Sequence, residues 1–503
     1  MNKINIPAGA AEILTRLQGN GEKAYVVGGC VRDSMMGRAP HDWDICTSAK
    51  PERVKEILQG YRIIDTGLKH GTVTVLNGEG ETYEVTTFRI DGWYTDGRRP
   101  DSVIFVRRVS EDLERRDFTI NAMAYNDAEG LIDPFGGVDD IGHGCIRCVG
   151  NPGTRFYEDA LRILRAVRFS AQFGFSIARD TAAAMRRMAD QLDHISAERI
   201  GSEFKKIVCA PYTTYAICES KPILCKIIPE LAPLIGCEQN NKYHKADVFG
   251  HTMEALHNAE TCDRFPKEWA DEYVRIALFF HDFGKPASKT TDEAGYDHFY
   301  GHAPVSAEIA EQVMRRLRFS NQEIETITEL IANHDVEFSP TKACARRMLN
   351  KFGYDQLKRL LKIRECDNRS HAEAAYQRFE ERVIPFAAML DEVMAEQSAF
   401  SLKDLAISGK DIVALGVKPG PVVGELLAEA LDAVVEEIVP NEKEALVEFE
   451  KQMSSVYTTS VSQSTLDECP MAYKSMEDIM ENISPTVDIV EAIKPVYNFK
   501  AGN

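Results

Sequence analysis

Nowhere among its 503 residues does the chain carry an uncharged apolar run of the roughly 18 residues that cross a bilayer. It opens MNKINIPAGAAEIL, without the long apolar segment of a secretion signal. The two absences argue against a membrane partner and make the cytoplasm the expected location. Basic residues are scarce as well: 59 Lys and Arg stand against 78 Asp and Glu, a net charge of −19. That deficit argues against a nucleic-acid partner held by the whole surface, because phosphate binding rests on Lys and Arg. It leaves room for one basic stripe on one face. The twelve cysteines follow no pairing pattern and read as reduced thiols in a cytoplasmic chain. A single CxxC, at Cys145 and Cys148, has no second pair at zinc-finger spacing and is assigned no metal.

What is present is an ordinary globular composition, 44% apolar and 27% charged. The length is too great for one core and implies about three or four domains. Residues 1–150 alternate strand and helix signals. EKAYVVGGC, HGTVTVLN, TYEVTTFR and SVIFVRRV are rich in the Val, Thr and Tyr of strands. From about residue 155 to 450 the apolar spacing is helical. The fold class is therefore α+β, a small mixed-sheet head followed by an all-α body. The polar stretch 451–468, KQMSSVYTTSVSQSTLDE, reads as a linker.

The chemistry concentrates first in residues 25–47, YVVGGCVRDSMMGRAPHDWDICT. Asp42-Trp43-Asp44 is read as strand, so alternation puts both carboxylates on one face and Trp43 on the other. Two carboxylates that close repel unless they share a cation or a proton. Oxygen ligands favour Mg²⁺, and such a pair suits two-metal phosphoryl or nucleotidyl transfer. Gly28 and Gly29 let the backbone approach a triphosphate without a Cβ in the way. Arg32 is placed to hold a phosphate oxygen.

The run GG-x-V-R-D followed by D-x-D resembles the signature of the tRNA CCA-adding and bacterial poly(A) polymerase family. TGLKHGTVTV (66–75), YEVTTFR (83–89), RRDFTINAMA (115–124) and DPFGG (133–137) follow in that family's order. The resemblance implies a third metal-binding acid, for which Glu84 is the candidate, and a nucleotide or phosphate contact at Arg116. It implies that the loop DGWYTDGRRPDSVIF (91–105) is mobile and serves the switch from C to A addition, which argues against a C-only enzyme.

YEDALRILRAVRF (157–169) is expected to be one helix. Glu158, Asp159, Arg162, Arg165 and Arg168 recur at short steps, so the arginines form a slowly drifting stripe. The segment resembles the family's ED-x-x-R motif. The resemblance implies that Asp159 and Arg162 read the base, while Arg165 and Arg168 face the triphosphate or the tRNA end. C and A both offer an exocyclic amino group to a carboxylate, where U and G present a carbonyl. ERIGSEFKKI (198–207) is similar to the family's last motif of this region.

The body carries an ordered set, His251, His281-Asp282, His302, His334 and Asp367. Imidazole with carboxylate suits a divalent transition metal or Mg²⁺. The order resembles the HD phosphohydrolase superfamily, which implies metal-assisted hydrolysis of a phosphoester, with 3′ or cyclic phosphates as the expected substrates. LAISGKDIVALGVKPGPVVGELLAEALDAVVEE, with Gly409, Gly416, Gly420 and Gly424, resembles the helical tRNA-binding tail of HD-bearing CCA-adding enzymes. The last stretch, 467–503, resembles only the C-terminal end of the RNA-splicing ligase family, so no activity comes with it.

The expected organisation is a nucleotidyltransferase head (1–150), a base-reading neck (151–215), an HD domain (216–390), a tRNA-binding tail (391–450) and a linker with its ligase-like end (451–503). The expected function is addition of CCA to tRNA from CTP and ATP. The alternatives are an A-adding enzyme or poly(A) polymerase, an HD phosphohydrolase with a nucleotide-binding head, and a non-catalytic RNA-binding regulator. Oligomeric state is left open.

Overall fold

All four of the expected head strands form, and between residues 24 and 132 five more accompany them. They are β1 (Ala24–Val27), β2 (Ile45–Thr47), β3 (Arg62–Gly67), β4 (Thr72–Leu76), β5 (Thr82–Thr87), β6 (Arg89–Asp91), β7 (Val103–Phe105), β8 (Ala124–Asn126) and β9 (Gly130–Ile132). The computed structural model describes residues 3–78, 80–92, 102–241, 245–396 and 402–459. The ligase-like stretch 467–503 and the middle of the expected mobile loop, 93–101, lie outside the described residues. The two ends of that loop are β6 and β7, which pair antiparallel from Arg89↔Phe105 to Asp91↔Val103.

Seven strands make one mixed sheet in the order β3-β4-β5-β2-β1-β8-β9. Only β2 and β5 run parallel, with Ile45 opposite Val85. The central β1 is buried along its whole length, whereas β4 alternates buried and half-buried side chains. That difference follows from position: a central strand covered on both faces has no solvent side. Helix Ala8–Gly19 buries Ala10, Ile13, Leu14 and Leu17, the i, i+3, i+4, i+7 stripe, in the core with Val26, Val73 and Val85.

Helices dominate beyond residue 150. The neck helix Leu161–Phe173 ends at Gly174, whose φ of 73° closes the last turn in the left-handed conformation. Helices Val248–Thr261, Glu272–Phe280 and Asn321–Ala332 begin at Asp247, Asp271 and Ser320, whose side chains each accept a backbone N–H. The stretch expected as a linker is partly helical: helix Lys443–Thr459 runs into it. The apolar positions of 445–449 continue to pack the core of that unit and carry the helix onward. The chain divides into two compact units, Met1–Val336 with Arg359–Tyr376, and Glu337–Lys358 with Gln377–Asn503. The first holds the sheet, the neck and the His-Asp set.

In the first unit, Gly201 of helix Ala197–Val208 lies directly against the backbone of Leu317, and a Cβ there would overlap the Leu317 carbonyl oxygen. Backbone cannot give way as a flexible side chain can. Gly201→Ala is therefore expected to lower stability by about 1–3 kcal/mol, read from urea denaturation midpoints.

Candidate active site and metal-ligand cluster

The turn after β1 starts the site. Gly28 has φ 80°, a left-handed value that favours glycine, and it precedes helix Gly29–Met35. A Cβ on Gly28 would sit 2.8 Å from Nη1 of Arg116. The glycine thus does two things: it bends the chain and lets a guanidinium approach the backbone.

Asp42 and Asp44 lie in the irregular segment entering β2, not within a strand, because β2 starts only at Ile45. The alternation expected of a strand persists: Trp43 packs against the head core while its two neighbours are exposed. Ile45 is opposite Val85 in parallel register, so Glu84 flanks Asp44 on the adjoining strand. Asp44 is open to solvent over much of its surface, yet the protein crowding its carboxyl raises its pKa. Burial is the main cause; Arg116 opposes it, and Glu84 and Asp42 add to it. An Asp44 carboxyl pressed by two further acids, Glu84 and Asp42, makes a set suited to a hard cation.

Arg32 is placed differently from expectation. It is 7% exposed and donates through Nη1 to Asn121 (2.6 Å) and through Nε to Asp33 (2.9 Å). Its guanidinium also lies over the ring of Phe173 at 4.9 Å. It braces the glycine turn against the neck, with its donors already engaged.

The expected helix over 157–169 is broken. Helix Pro152–Glu158 stops at Asp159, which is extended (φ −147°, ψ 105°), and Leu161–Phe173 starts afresh. Asp159 sits at the break. Its Oδ1 accepts the N–H of Leu161 (3.0 Å), and its Oδ2 accepts from Arg199 (2.7 Å). Arg162 donates to Glu158 at 2.6 Å. Arg165 donates to Asp117 at 2.6 and 2.8 Å. Burial alone would raise the Asp117 carboxyl, but Arg165 and Arg162 outweigh it and hold it well below the usual range. A cavity of about 300 Å³ is lined by Arg116, Asp159, Arg162, Arg165 and Arg199, with Asp117 between them. Arg168 is turned to Glu203 instead (2.6 Å) and covers the ring of Phe169.

Sequence reasoning missed Asp117, Arg199 and Glu203. The first lies within RRD and the other two within ERIGSE. Their partners are 35 to 48 residues away, beyond any local periodicity.

In the helical body, His251, His281, Asp282, His302, His334 and Asp367 come together, and His371 joins them. Three overlapping sets each bring their ligand atoms within 4.8 Å: His251, Asp367 and His371; His251, His281 and Asp282; Asp282, His302 and His334. The hydrogen bonds select the tautomers. Nδ1 of His281, His302 and His334 meets the carbonyl of Leu278, Phe299 and Ile331, respectively, at 2.7 to 2.9 Å. A carbonyl can only accept, so each Nδ1 carries the proton, and in the neutral ring each Nε2 presents a lone pair. At His281 burial opposes, but Asp282 and Asp367 prevail and raise the ring to about 10, so its Nε2 is freed when a cation displaces the proton. Nε2 of His302 and Nε2 of His334 then face each other at 3.2 Å. Two lone pairs at that distance call for a cation between them. Burial with His281 and His302 nearby pushes His334 down to about 4, which keeps its ring neutral at physiological pH. His281 Nε2 and both oxygens of Asp282 are buried without a well-formed hydrogen bond, although Lys285 Nζ lies 2.8 Å from Asp282. The donor set fits a divalent metal.

Three family models match the chain. One described as the poly A polymerase head domain covers residues 24–147. One described as a probable RNA and SrmB-binding site of polymerase A covers 174–233. One described as a putative tRNA nucleotidyltransferase domain 2 covers 289–450. Among curated relatives, the CCA-adding enzyme of Leuconostoc mesenteroides is 33% identical over 88% of this chain and 96% of its own length. That of Enterococcus faecalis is 34% identical over 89% and 96%. Among solved structures, the Bacillus stearothermophilus CCA-adding enzyme in complex with CTP is 31% identical, with a TM-score of 0.63 over 90% of this chain and 98% of that one.

Two outcomes follow from the geometry. Asp117→Asn leaves Arg165 without its partner, and a loss of about 1–3 kcal/mol is expected in urea denaturation at pH 7. Because the folded carboxyl titrates lower than the unfolded one, this contribution is full above pH 4 or so and fades below it. The gap between variant and parent should therefore narrow at pH 3. After chelation and dialysis, the full chain is expected to take up Mn²⁺ or Ni²⁺ in titration calorimetry. Asp282→Ala, which removes a ligand common to two of the three sets, should remove the cluster's share of that uptake and leave the share that Asp44→Ala removes.

Proposed function

The chain belongs to the CCA-adding enzyme family of tRNA nucleotidyltransferases, and from that premise we propose that it builds CCA on tRNA 3′ ends from CTP and ATP. One observation carries the reading. Arg116 touches the Gly28 turn, acts on the Asp44 carboxyl and lines the cavity of Asp159 and Arg162. A triphosphate at the turn and its base in the cavity would therefore belong to one nucleotide.

Asp42, Asp44 and Glu84 are the residues that would hold Mg²⁺. When bound, such ions acidify the attacking 3′-hydroxyl and stabilise charge on the α-phosphate. In the reaction itself the 3′-oxygen bonds to the α-phosphorus, the α–β P–O bond breaks and pyrophosphate leaves. The chain's own contribution is to orient the parts. Gly28 opens the backbone to the phosphates, Arg116 neutralises them, and Arg32 keeps the turn in place from behind.

Base choice falls to Asp159 and Arg162. A carboxylate has about four lone-pair sites, so Asp159 keeps capacity to accept from N4 of cytosine or N6 of adenine while bonded to Arg199 and Leu161. Uracil or guanine would set a carbonyl against it, an unpaired contact costing about 1–3 kcal/mol. That corresponds to roughly 5- to 150-fold rejection. CTP in the solved Bacillus stearothermophilus relative supports the pyrimidine half of this reading. Helices Gly409–Ala414 and Pro421–Val435 of the tail are proposed to contact the tRNA.

The His-Asp cluster supports a second activity, metal-assisted hydrolysis of a phosphoester. Water adds to phosphorus, the ester P–O bond breaks, and the water proton passes to the leaving oxygen. Such a site would clear a terminal or cyclic phosphate from a 3′ end before addition.

Asp44→Ala is expected to reduce nucleotide incorporation by 10³-fold or more while leaving phosphoesterase activity intact. Arg199→Ala should leave incorporation measurable and erode the preference for CTP over UTP by about tenfold. An unchanged preference, in single-turnover assays with each NTP, would remove Asp159 from base reading.

A further inference from the structure

Above the His-Asp cluster lies a cavity of about 720 Å³. Its walls include Asp282, His302, His334 and Asp367 of the ligand set, and also Lys285 and Arg364. Arg364 carries a buried Nε–H without a hydrogen-bond partner. These are the charges a phosphate would meet. The rest of the wall is not explained by hydrolysis. Short strands Thr290–Thr291 and Asp297–His298 form a hairpin, and the chain then runs through Tyr300 into helix His302–Arg316.

Tyr300 is 80% exposed, the highest exposure among the large hydrophobic residues described. It is not loosely held. Its ring stacks on that of His298, with centroids 5.3 Å apart and planes within 7°. Nε2 of His298 bonds in turn to Asp292 at 2.9 Å. Asp292, His298 and Tyr300 all border the cavity. An aromatic face that is braced from beneath and left open to solvent beside a phosphate-sized charge site matches how proteins hold a nucleobase of a single strand.

We propose that Tyr300, backed by His298, is a stacking platform for the nucleobase whose phosphate enters the His-Asp cluster. The ligand class is a nucleoside phosphoester, free or at an RNA 3′ end. Stacking engages any base face, so recognition is of a base rather than of its identity. Tyr300 is a positioning residue: it holds the base and touches no reacting atom. The proposal rests on the phosphoesterase reading above.

The test uses the full chain loaded with Mn²⁺. Wild type, Tyr300→Ala and Tyr300→Phe are assayed on adenosine 3′-monophosphate, on tRNA ending in a 3′-phosphate, and on glycerol 2-phosphate, which has no base. Binding of adenosine 3′-monophosphate is titrated alongside. Binding at the head is common to all three proteins and cancels in the comparison. Tyr300→Ala should raise KM for the nucleotide roughly tenfold, with kcat and the glycerol ester unaffected, and Tyr300→Phe should restore it. The tRNA arm tells an RNA end from a free nucleotide: a matching KM rise there assigns the platform to the RNA end. CMP incorporation at the head should be unchanged in both variants, which shows that they fold. An unchanged nucleotide KM and affinity in Tyr300→Ala would overturn the platform. If wild type hydrolyses none of the esters, the phosphoesterase reading falls. The platform then stands or falls on whether Tyr300→Ala weakens binding of the nucleotide.

Discussion

The ion pair between Asp117 of the head and Arg165 of the neck helix is the joint on which the proposed nucleotide site depends. Asp117 also accepts from Asn121, which in turn receives Arg32. A single buried carboxylate therefore sets the brace of the glycine turn and one wall of the base cavity. Around it, five arginines crowd a space of about 300 Å³. Such crowding is tolerable only because each charge is answered: Arg165 by Asp117, Arg162 by Glu158, Arg199 by Asp159, and Arg115 and Arg116 by Asp112. The chain is acidic overall, yet here it gathers the positive charge that the proposed triphosphate would need.

The same logic, inverted, builds the second site. There imidazoles and carboxylates are brought together, and among the described residues no side chain supplies the missing charge between Nε2 of His302 and Nε2 of His334. The helices hold the donors by backbone bonds to Nδ1, so the arrangement is paid for in advance by the fold. The two sites differ in what they ask of a ligand. The first is lined with cations and invites phosphate and base; the second is lined with donors and invites a metal, with phosphate following.

Much of this was legible in the residues. YVVGG, TVTV and YEVTT declared their strands through β-branched alternation, and the DxD pair and the His-Asp set declared themselves by residue type. The strand read over Asp42–Asp44 was placed too early, because β2 is only Ile45–Thr47, directly after those two acids. β3 was hidden because an edge strand with exposed Asp65 and Thr66 lacks a clean alternation. The break at Asp159 was invisible because no glycine or proline marks it; its carboxylate accepts from Leu161 next door and from the distant Arg199, and only the first is local in sequence. Arg32 has the right type for a phosphate contact, and only packing against Phe173 and Asn121 reveals its bracing position. His371 was overlooked because a lone histidine four residues after Asp367 has no signal until the chain, leaving helix Lys342–Ser370, turns it back beside that carboxylate.

The central claim is that one site reads C and then A and stops. The most direct measurement offers purified protein and Mg²⁺ three tRNA transcripts, lacking CCA, ending in C and ending in CC. Each NTP is given singly and then together, and products are resolved at single-nucleotide length. The account predicts three, two and one residues added, with both CTP and ATP required for the first two transcripts, and no further growth. Addition of A only after CC, or an unbounded A ladder, would contradict it.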